Sequence, residues 1–242
     1  MLESILRIYK KLGETPLEAL NRLRLEIPEY GDLPMTYAGR LDPMAEGELL
    51  VLIGEECKKK DEYLGMDKEY EFEMLFGFKT DSYDLLGVSS SENFKKEELI
   101  EGLSKVLENK KGKFVQKYPP FSSKTVGGVP LFQKTKDGDE YDVPEREVEI
   151  YEIQFLGFTE INGSDLLEEI KRRINLVKGD FRQEEIIKKW EEVLNDRGEE
   201  VFSIAKARMV CSSGTYVRSL VNGLPYPATT FSIKRTKVFK KE

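Results

Sequence analysis

Between Glu69 and Phe78 the chain alternates strictly, with Tyr70, Phe72, Met74, Phe76 and Phe78 on one side and Glu69, Glu71 and Glu73 on the other. A period of two throws successive side chains to opposite faces of a strand. This stretch therefore predicts a strand with one face in a core and one in water, the habit of antiparallel sheets. Leu49–Ile53, a continuous apolar run ended by Gly54, predicts a buried strand. Thr15-Pro16-Leu17-Glu18 is a capping box with proline at the first helical position, opening a helix over 15–26 with Leu17, Leu20, Leu23 and Leu25 as its apolar side. Residues 97–109 fit a second helix, with Leu99, Ile100, Leu103, Val106 and Leu107 inward. Residues 116–138, rich in Pro and Gly, read as a long loop with little regular structure, and its length suggests function. Strand character returns at 147–158 and 201–211. Between them Ser164 is placed to cap a helix through Val177, and Gln183–Asn195 forms another. These observations predict one α+β domain: a mixed, largely antiparallel central sheet, flanking helices, and a helical hairpin inserted over 164–197.

The sequence contains no histidine, which removes whole classes of chemistry. No Ser-His-Asp or Cys-His pair, imidazole base or histidine-bearing metal site can be built. A thiolate-only zinc site needs more sulfurs than Cys57 and Cys211 provide. No phosphate-binding glycine loop of the nucleotide-binding kinds occurs. An enzyme made from this chain works with carboxylates, Tyr, Ser, Lys or Arg, and no metal or cofactor is expected. The two cysteines have no partner motif, the first residues mix charge into their apolar stretch, and no run is long enough for a membrane span. A cytoplasmic protein is the expectation.

Net charge is −7, which by itself argues against a polyanionic partner. The distribution argues for one. Seven lysines and no acid lie between Lys110 and Lys136, and the last segment carries Lys206, Arg208, Arg218, Lys234, Arg235, Lys237, Lys240 and Lys241 against Glu242. Either segment alone reads as solvated surface. Together, and interleaved with aromatics such as Tyr118, Phe121 and Tyr216, they point to nucleic acid, because phosphate contacts are local and screened over roughly 8–10 Å.

Three segments hold the candidate chemistry. In Tyr37-Ala-Gly-Arg-Leu-Asp-Pro, Asp42 taken alone is a turn residue bonding to nearby backbone. Tyr70 taken alone is a core residue. In Cys211-Ser-Ser-Gly-Thr-Tyr-Val-Arg-Ser-Leu, Thr215 can cap a following helix, and Arg218 taken alone is structural.

In this order and at these separations, Gly39-Arg-Leu-Asp-Pro43, Lys68-Glu-Tyr70, Pro119-Pro120-Phe-Ser-Ser and Ser213-Gly-Thr-Tyr-Val-Arg218 resemble the TruB family of tRNA pseudouridine synthases. The opening Lys10–Arg24, Thr80–Gly87 and the closing Phe231-Ser-Ile-Lys-Arg235 share the likeness. The resemblance implies the pseudouridine synthase fold and isomerisation of a tRNA T-arm uridine, at the pseudouridine-55 position, by base flipping. It makes Asp42 the catalytic carboxylate, acting on the ribose, on the uracil or through a glycal. Tyr70 would stack on the flipped base and Arg218 would pair with Asp42. Tyr37, Arg40, Tyr216 and Ile233 are implied substrate contacts, and Tyr37 stands where the family usually has histidine. A carboxylate that acts as an anion in a partly dry pocket needs a fixed cation, and Arg cannot give up its proton as Lys can. Lys117, Lys124, Lys134 and Lys136 are assigned to an RNA-gripping loop over 116–138. The chain is expected to be a monomer without the PUA domain that many members append. Two other readings are a weakly catalytic tRNA-binding or folding protein on the same scaffold, and a protein-interaction module using the acidic insertion around Trp190.

Overall fold

The computed structural model describes residues 2–240. In chain order the strands and helices are β1 (Ile5–Lys10), α1 (Pro16–Glu26), β2 (Met35–Ala38), β3 (Ala45–Ile53), α2 (Lys60–Leu64), β4 (Asp67–Phe76), β5 (Phe78–Thr80) and β6 (Ser89–Ser91). They continue as α3 (Lys96–Glu108), β7 (Gly112–Lys117), β8 (Thr125–Val126), β9 (Val129–Pro130), α4 (Leu131–Asp137) and β10 (Glu145–Asn162). The last are α5 (Gly163–Asn175), α6 (Gln183–Leu194), β11 (Val201–Cys211), α7 (Val217–Asn222) and β12 (Ala228–Phe239). One eight-stranded sheet runs β1-β3-β12-β4-β11-β10-β7, with β2 also on β3. All its pairings are antiparallel except β12 with β3, where Ile233 lies opposite Ala45 and Arg235 opposite Gly47. The chain is α+β with a mixed, largely antiparallel sheet, as expected.

The alternation in β4 separates two cores. Tyr70, Phe72, Met74 and Phe76 face Leu99, Leu103 and Leu107 of α3 and Val217, Leu220 and Val221 of α7. Leu75 faces the other way, onto α5 and α6. Phe78 was expected beside Tyr70 and is not. Gly77 takes φ +89°, which ends β4 and resets the period. Phe78 then packs into the second core, 5.3 Å from Trp190 and 5.1 Å from Phe202 between ring centroids.

Several helix expectations need correction. The Thr15 capping box forms as expected, but α1 buries Pro16, Ala19, Leu20 and Leu23, leaving Leu17 and Leu25 in solvent. Ile100 of α3 is likewise exposed. The stripe of α1 runs i, i+3, i+4, i+7 and that of α3 runs i, i+4, i+8, and an apolar residue off the stripe is simply left outside. Asn162, not Ser164, caps α5, its side chain accepting the Asp165 N–H at 2.8 Å. The 116–138 segment is less irregular than expected: β7 runs to Lys117, β8 and β9 form a small hairpin, and α4 follows, anchored by fully buried Leu131. One buried apolar residue in a seven-residue helix leaves no periodic signal to read.

The α5–α6 hairpin sits where β10 hands over to β11, with Asn162 paired to Val201 at the tip. Its Leu166, Ile170, Ile174, Ile186, Trp190 and Leu194 cover the second face of the sheet. Trp190 is 0% exposed, so it offers no protein-docking surface. The closing basic segment is also not a surface for polyanions throughout. Lys206 pairs with Glu71 at 2.6 Å, Arg208 pairs with Glu69, and Arg218 and Arg235 are buried. Both cysteines are free thiols; burial pushes that of Cys211 up to about 12. Among the described residues no helix is long and apolar enough to cross a membrane.

Candidate active site

The turn from β2 to β3 carries Asp42. Its backbone carbonyl accepts the Ala45 N–H at 3.0 Å, so the main chain makes the turn and the side chain is left for other work. Arg235 on β12, 1% exposed, holds this turn from beneath. Its guanidinium donates to the carbonyls of Glu48 at 2.7 Å, Gly39 at 3.0 Å and Arg40 at 3.3 Å. These three bonds to carbonyls replace water around a positive charge that is buried there.

Arg218 approaches from α7, 176 residues later in the chain. Its Nη2 and Nε donate to Asp42 Oδ2 at 2.7 and 3.0 Å. Nη1 donates to the Ser82 carbonyl at 2.7 Å, Nη2 also to that of Phe121 at 3.1 Å, and Nε lies 3.5 Å from Asp84 Oδ2. The planar fork thus joins the Asp42 turn, the 80–88 turn and the 116–138 segment at one point, which a point-charge lysine could not do. Burial alone would weaken the Arg218 charge; Asp42 and Asp84 outweigh it and hold the guanidinium pKa above its ordinary value. Burial pushes the Asp84 carboxyl up, against the pull of Arg218 and the Ser82 hydroxyl. Thr215 does not cap α7: its hydroxyl donates back to the Ser212 carbonyl at 2.9 Å, and the capping position falls to Tyr216.

Asp42 and Arg218 open onto a cavity of about 380 Å³, within the roughly 300–1,000 Å³ range of small-ligand sites. Tyr70, Tyr216, Ile233 and Arg40 line it, with Leu41 and Ala45 adding apolar wall and Lys68, Arg146 and Arg235 adding charge. Burial raises the Tyr70 phenol above its usual range, with Arg235 opposing, and pushes that of Tyr216 up to about 12, with Asp42 reinforcing. Both are therefore hydrogen-bond donors at neutral pH. Gln116 pins Tyr216 by accepting its N–H at 2.8 Å and donating to its carbonyl at 3.1 Å. A second cavity of about 290 Å³ opens on the other side of the same ion pair, between Phe132 and Lys136 of α4 and residues 180–182 of the hairpin. One carboxylate held by a fixed cation, two protonated phenols and apolar walls suit a flat, polar-edged ring.

The structure thus brings together Asp42, Tyr70, Arg218, Arg40, Tyr216 and Ile233. It does not bring in Tyr37, which packs on β2 against Leu20, Leu23 and Tyr30, with the Lys60 ammonium 5.2 Å from its ring. Lys136 lines the second cavity and pairs with Asp180 at 2.6 Å. Lys134 lies 3.8 Å from Asp139 and Lys117 3.9 Å from Glu145, while Lys124 sits 5.5 Å from the centre of the Tyr118 ring. Sequence reasoning missed Asp84, Lys68, Arg146, Arg235 and Gln116 as site residues. For Arg235 the available signal was a polar residue at an inward position of the apolar strand β12, which forces a buried partner. Among the described residues no group of three or more Cys, Asp or Glu is placed to hold a metal ion.

Residues 34–181 match the sequence profile described as "TruB family pseudouridylate synthase (N terminal domain)". The chain is 29% identical over 227 residues to tRNA pseudouridine synthase B of Lactobacillus acidophilus, covering 93% of this chain and 63% of that protein. It is 30% identical over 247 residues to the protein of the same name from Lactobacillus johnsonii, covering 98% and 68%. For that of Endomicrobium trichonymphae the identity is 28%, covering 98% and 85%. A solved structure described as "Crystal Structure of a Cbf5-Nop10-Gar1 Complex" superposes with a TM-score of 0.56 at 16% identity, covering 98% of this chain and 50% of that one, and shows the shared fold. The chain spans less than two thirds of the length of the first of these relatives. With the profile matched over more than half of its residues, the chain belongs to the TruB family of pseudouridylate synthases.

Proposed function

We propose that this protein isomerises a uridine of tRNA, the T-loop uridine at the pseudouridine-55 position, to pseudouridine. The observation that carries the reading is the Asp42–Arg218 pair, 2.7 Å apart, opening onto a base-sized cavity that Tyr70, Tyr216 and Ile233 enclose. The names of the relatives supply the substrate class. Asp42, Tyr70 and Arg218 come from one chain, so a monomer suffices.

The reaction breaks the C1′–N1 bond and forms C1′–C5. The C5 proton leaves to a base and N1 ends protonated, with no net redox change and no need for a cofactor. The uridine first leaves its stack, at a cost of a few kcal/mol. Stacking on the Tyr70 ring returns about 1–3 kcal/mol, and phosphate contacts add to it. Lys117, Lys124, Lys134 and Lys136 grip the backbone. Arg218 ties this segment to the site through the Phe121 carbonyl. Asp42, held in place by the Arg218 guanidinium, is the group that engages the nucleoside.

Incubation with unmodified tRNA followed by chemical mapping tests this reading. The wild-type chain yields pseudouridine at the T-loop position, and Asp42→Asn binds the same tRNA without product. Binding without product by the wild-type chain would instead favour an RNA-binding or RNA-folding role.

A further inference from the structure

The α5–α6 hairpin grips the turn that carries Asp84 at both of its ends. At one end, Arg182 Nη1 donates to Asp81 Oδ2 at 2.9 Å, while Asp81 Oδ1 accepts the Val88 N–H at 2.9 Å. At the other, the indole N–H of Trp190 donates to the Leu85 carbonyl at 3.1 Å, with both residues fully buried. Asp84 lies between these anchors. Its Oδ1 accepts the Ser82 hydroxyl at 2.7 Å and the Leu86 N–H at 3.0 Å, and its Oδ2 faces Arg218 at 3.5 Å. Tyr83, just before it, has φ +66°. A bulky side chain adopts that left-handed conformation only where its surroundings impose it. A ring that only filled space would need no N–H donor at this position, and a buried indole N–H is costly unless it is used.

We propose that the hairpin is a brace for this turn and that Trp190 is a positioning residue. By fixing the Leu85 carbonyl it holds Asp84 where the carboxylate orients the Arg218 fork, and the fork in turn orients Asp42. The hairpin makes a second contact with the site. Arg173 donates to the Phe231 carbonyl at 2.8 Å and covers the Phe231 ring at 4.2 Å, two residues before Ile233 in the cavity wall. The inference rests on the proposed isomerase activity for its kinetic consequence, but not for its structural one.

Trp190→Phe keeps an aromatic ring against Phe78 and removes only the donor. Two measurements on the full chain test the brace. In single-turnover assays on unmodified tRNA, Trp190→Phe slows the reaction by about fivefold, the equivalent of one hydrogen bond, with tRNA affinity unchanged. Added to Asp84→Asn it produces no further loss, because both act through one carboxylate. Arg182→Met, which leaves the core intact, shows the same non-additivity. Equal losses with and without Asp84 would mean a merely structural tryptophan and would overturn the proposal. In hydrogen exchange, the Leu86 and Val88 amides of Trp190→Phe lose protection by about tenfold while β4 and β11 keep theirs. Unchanged protection there overturns the brace whether or not the protein is active. A wild-type chain that makes no pseudouridine overturns the isomerase reading alone.

Discussion

Lys10 is 0% exposed on the last position of β1, with its ammonium donating to the Ala45 carbonyl at 2.5 Å and that of Lys11 at 3.1 Å. Burial lowers its pKa to about 8, against the pull of Asp42, Glu14 and Glu46. Below pH 8 folded and unfolded chains both carry this proton, and the cost of burying the charge is fully present. Between pH 8 and 10.5 the unfolded chain keeps the proton while the folded chain gives it up, so stability rises with pH through that window. Lys10→Met lacks the effect. The stability of wild type relative to Lys10→Met should therefore climb by on the order of 2–3 kcal/mol between pH 7.5 and 10 in urea denaturation, and a flat difference would show that burial does not lower the lysine's pKa in the fold. Arg218 avoids this liability, its guanidinium pKa being held above its already high ordinary value.

In the proposed function whole elements carry the contact with RNA, and α4 with the strand before it illustrates the difficulty of reading such elements. Pro119, Pro120 and Gly127-Gly128 punctuate the segment enough to suggest a loop, and the helix that follows has only Leu131 to anchor it. The charge in the same segment was legible, but its state was not. Lys117, Lys134 and Lys136 face carboxylates from β10, the residues just after α4, and the α5–α6 turn, whereas Lys124 faces the Tyr118 ring. Phosphate must displace Asp180 to reach Lys136 but among the described residues meets no such competitor at Lys124. Lys124→Ala is accordingly expected to lower the slope of log affinity for tRNA against log salt by about 0.7–0.9, measured by fluorescence anisotropy. An unchanged slope would remove Lys124 from the backbone contacts.

At the scale of the molecule, β12 is what closes the site. It enters between β3 and β4, the one parallel partner in the main sheet, and delivers both Ile233 and Arg235. The junction is tight at Gly47, where φ is +112° and an added Cβ would lie 2.2 Å from the Arg235 carbonyl. Gly47→Ala must either strain its backbone or push β12 away. Its expected cost is about 2–4 kcal/mol of stability in urea denaturation, accompanied by loss of the proposed isomerisation as Arg235 leaves the Asp42 turn. Stability within about 0.5 kcal/mol of wild type would mean that β12 can shift freely there.

The sequence by itself determined most of the strand and helix types, the core-facing side of β4, the absence of imidazole chemistry, and a family resemblance that names Asp42, Tyr70 and Arg218. Periodicity and motif spacing are local, and local information suffices for these. Only the tertiary structure decided that Phe78 crosses to the second core, that Tyr37 stays outside the cavity, that Lys206 and Arg208 of the closing basic segment pair with Glu71 and Glu69, that Arg218 and Arg235 of the same segment are buried, and that Trp190 reaches the Leu85 carbonyl beside Asp84. Each of these depends on which distant group faces a given side chain. A charge or a buried donor is defined energetically by that partner, and sequence spacing along the chain does not contain it.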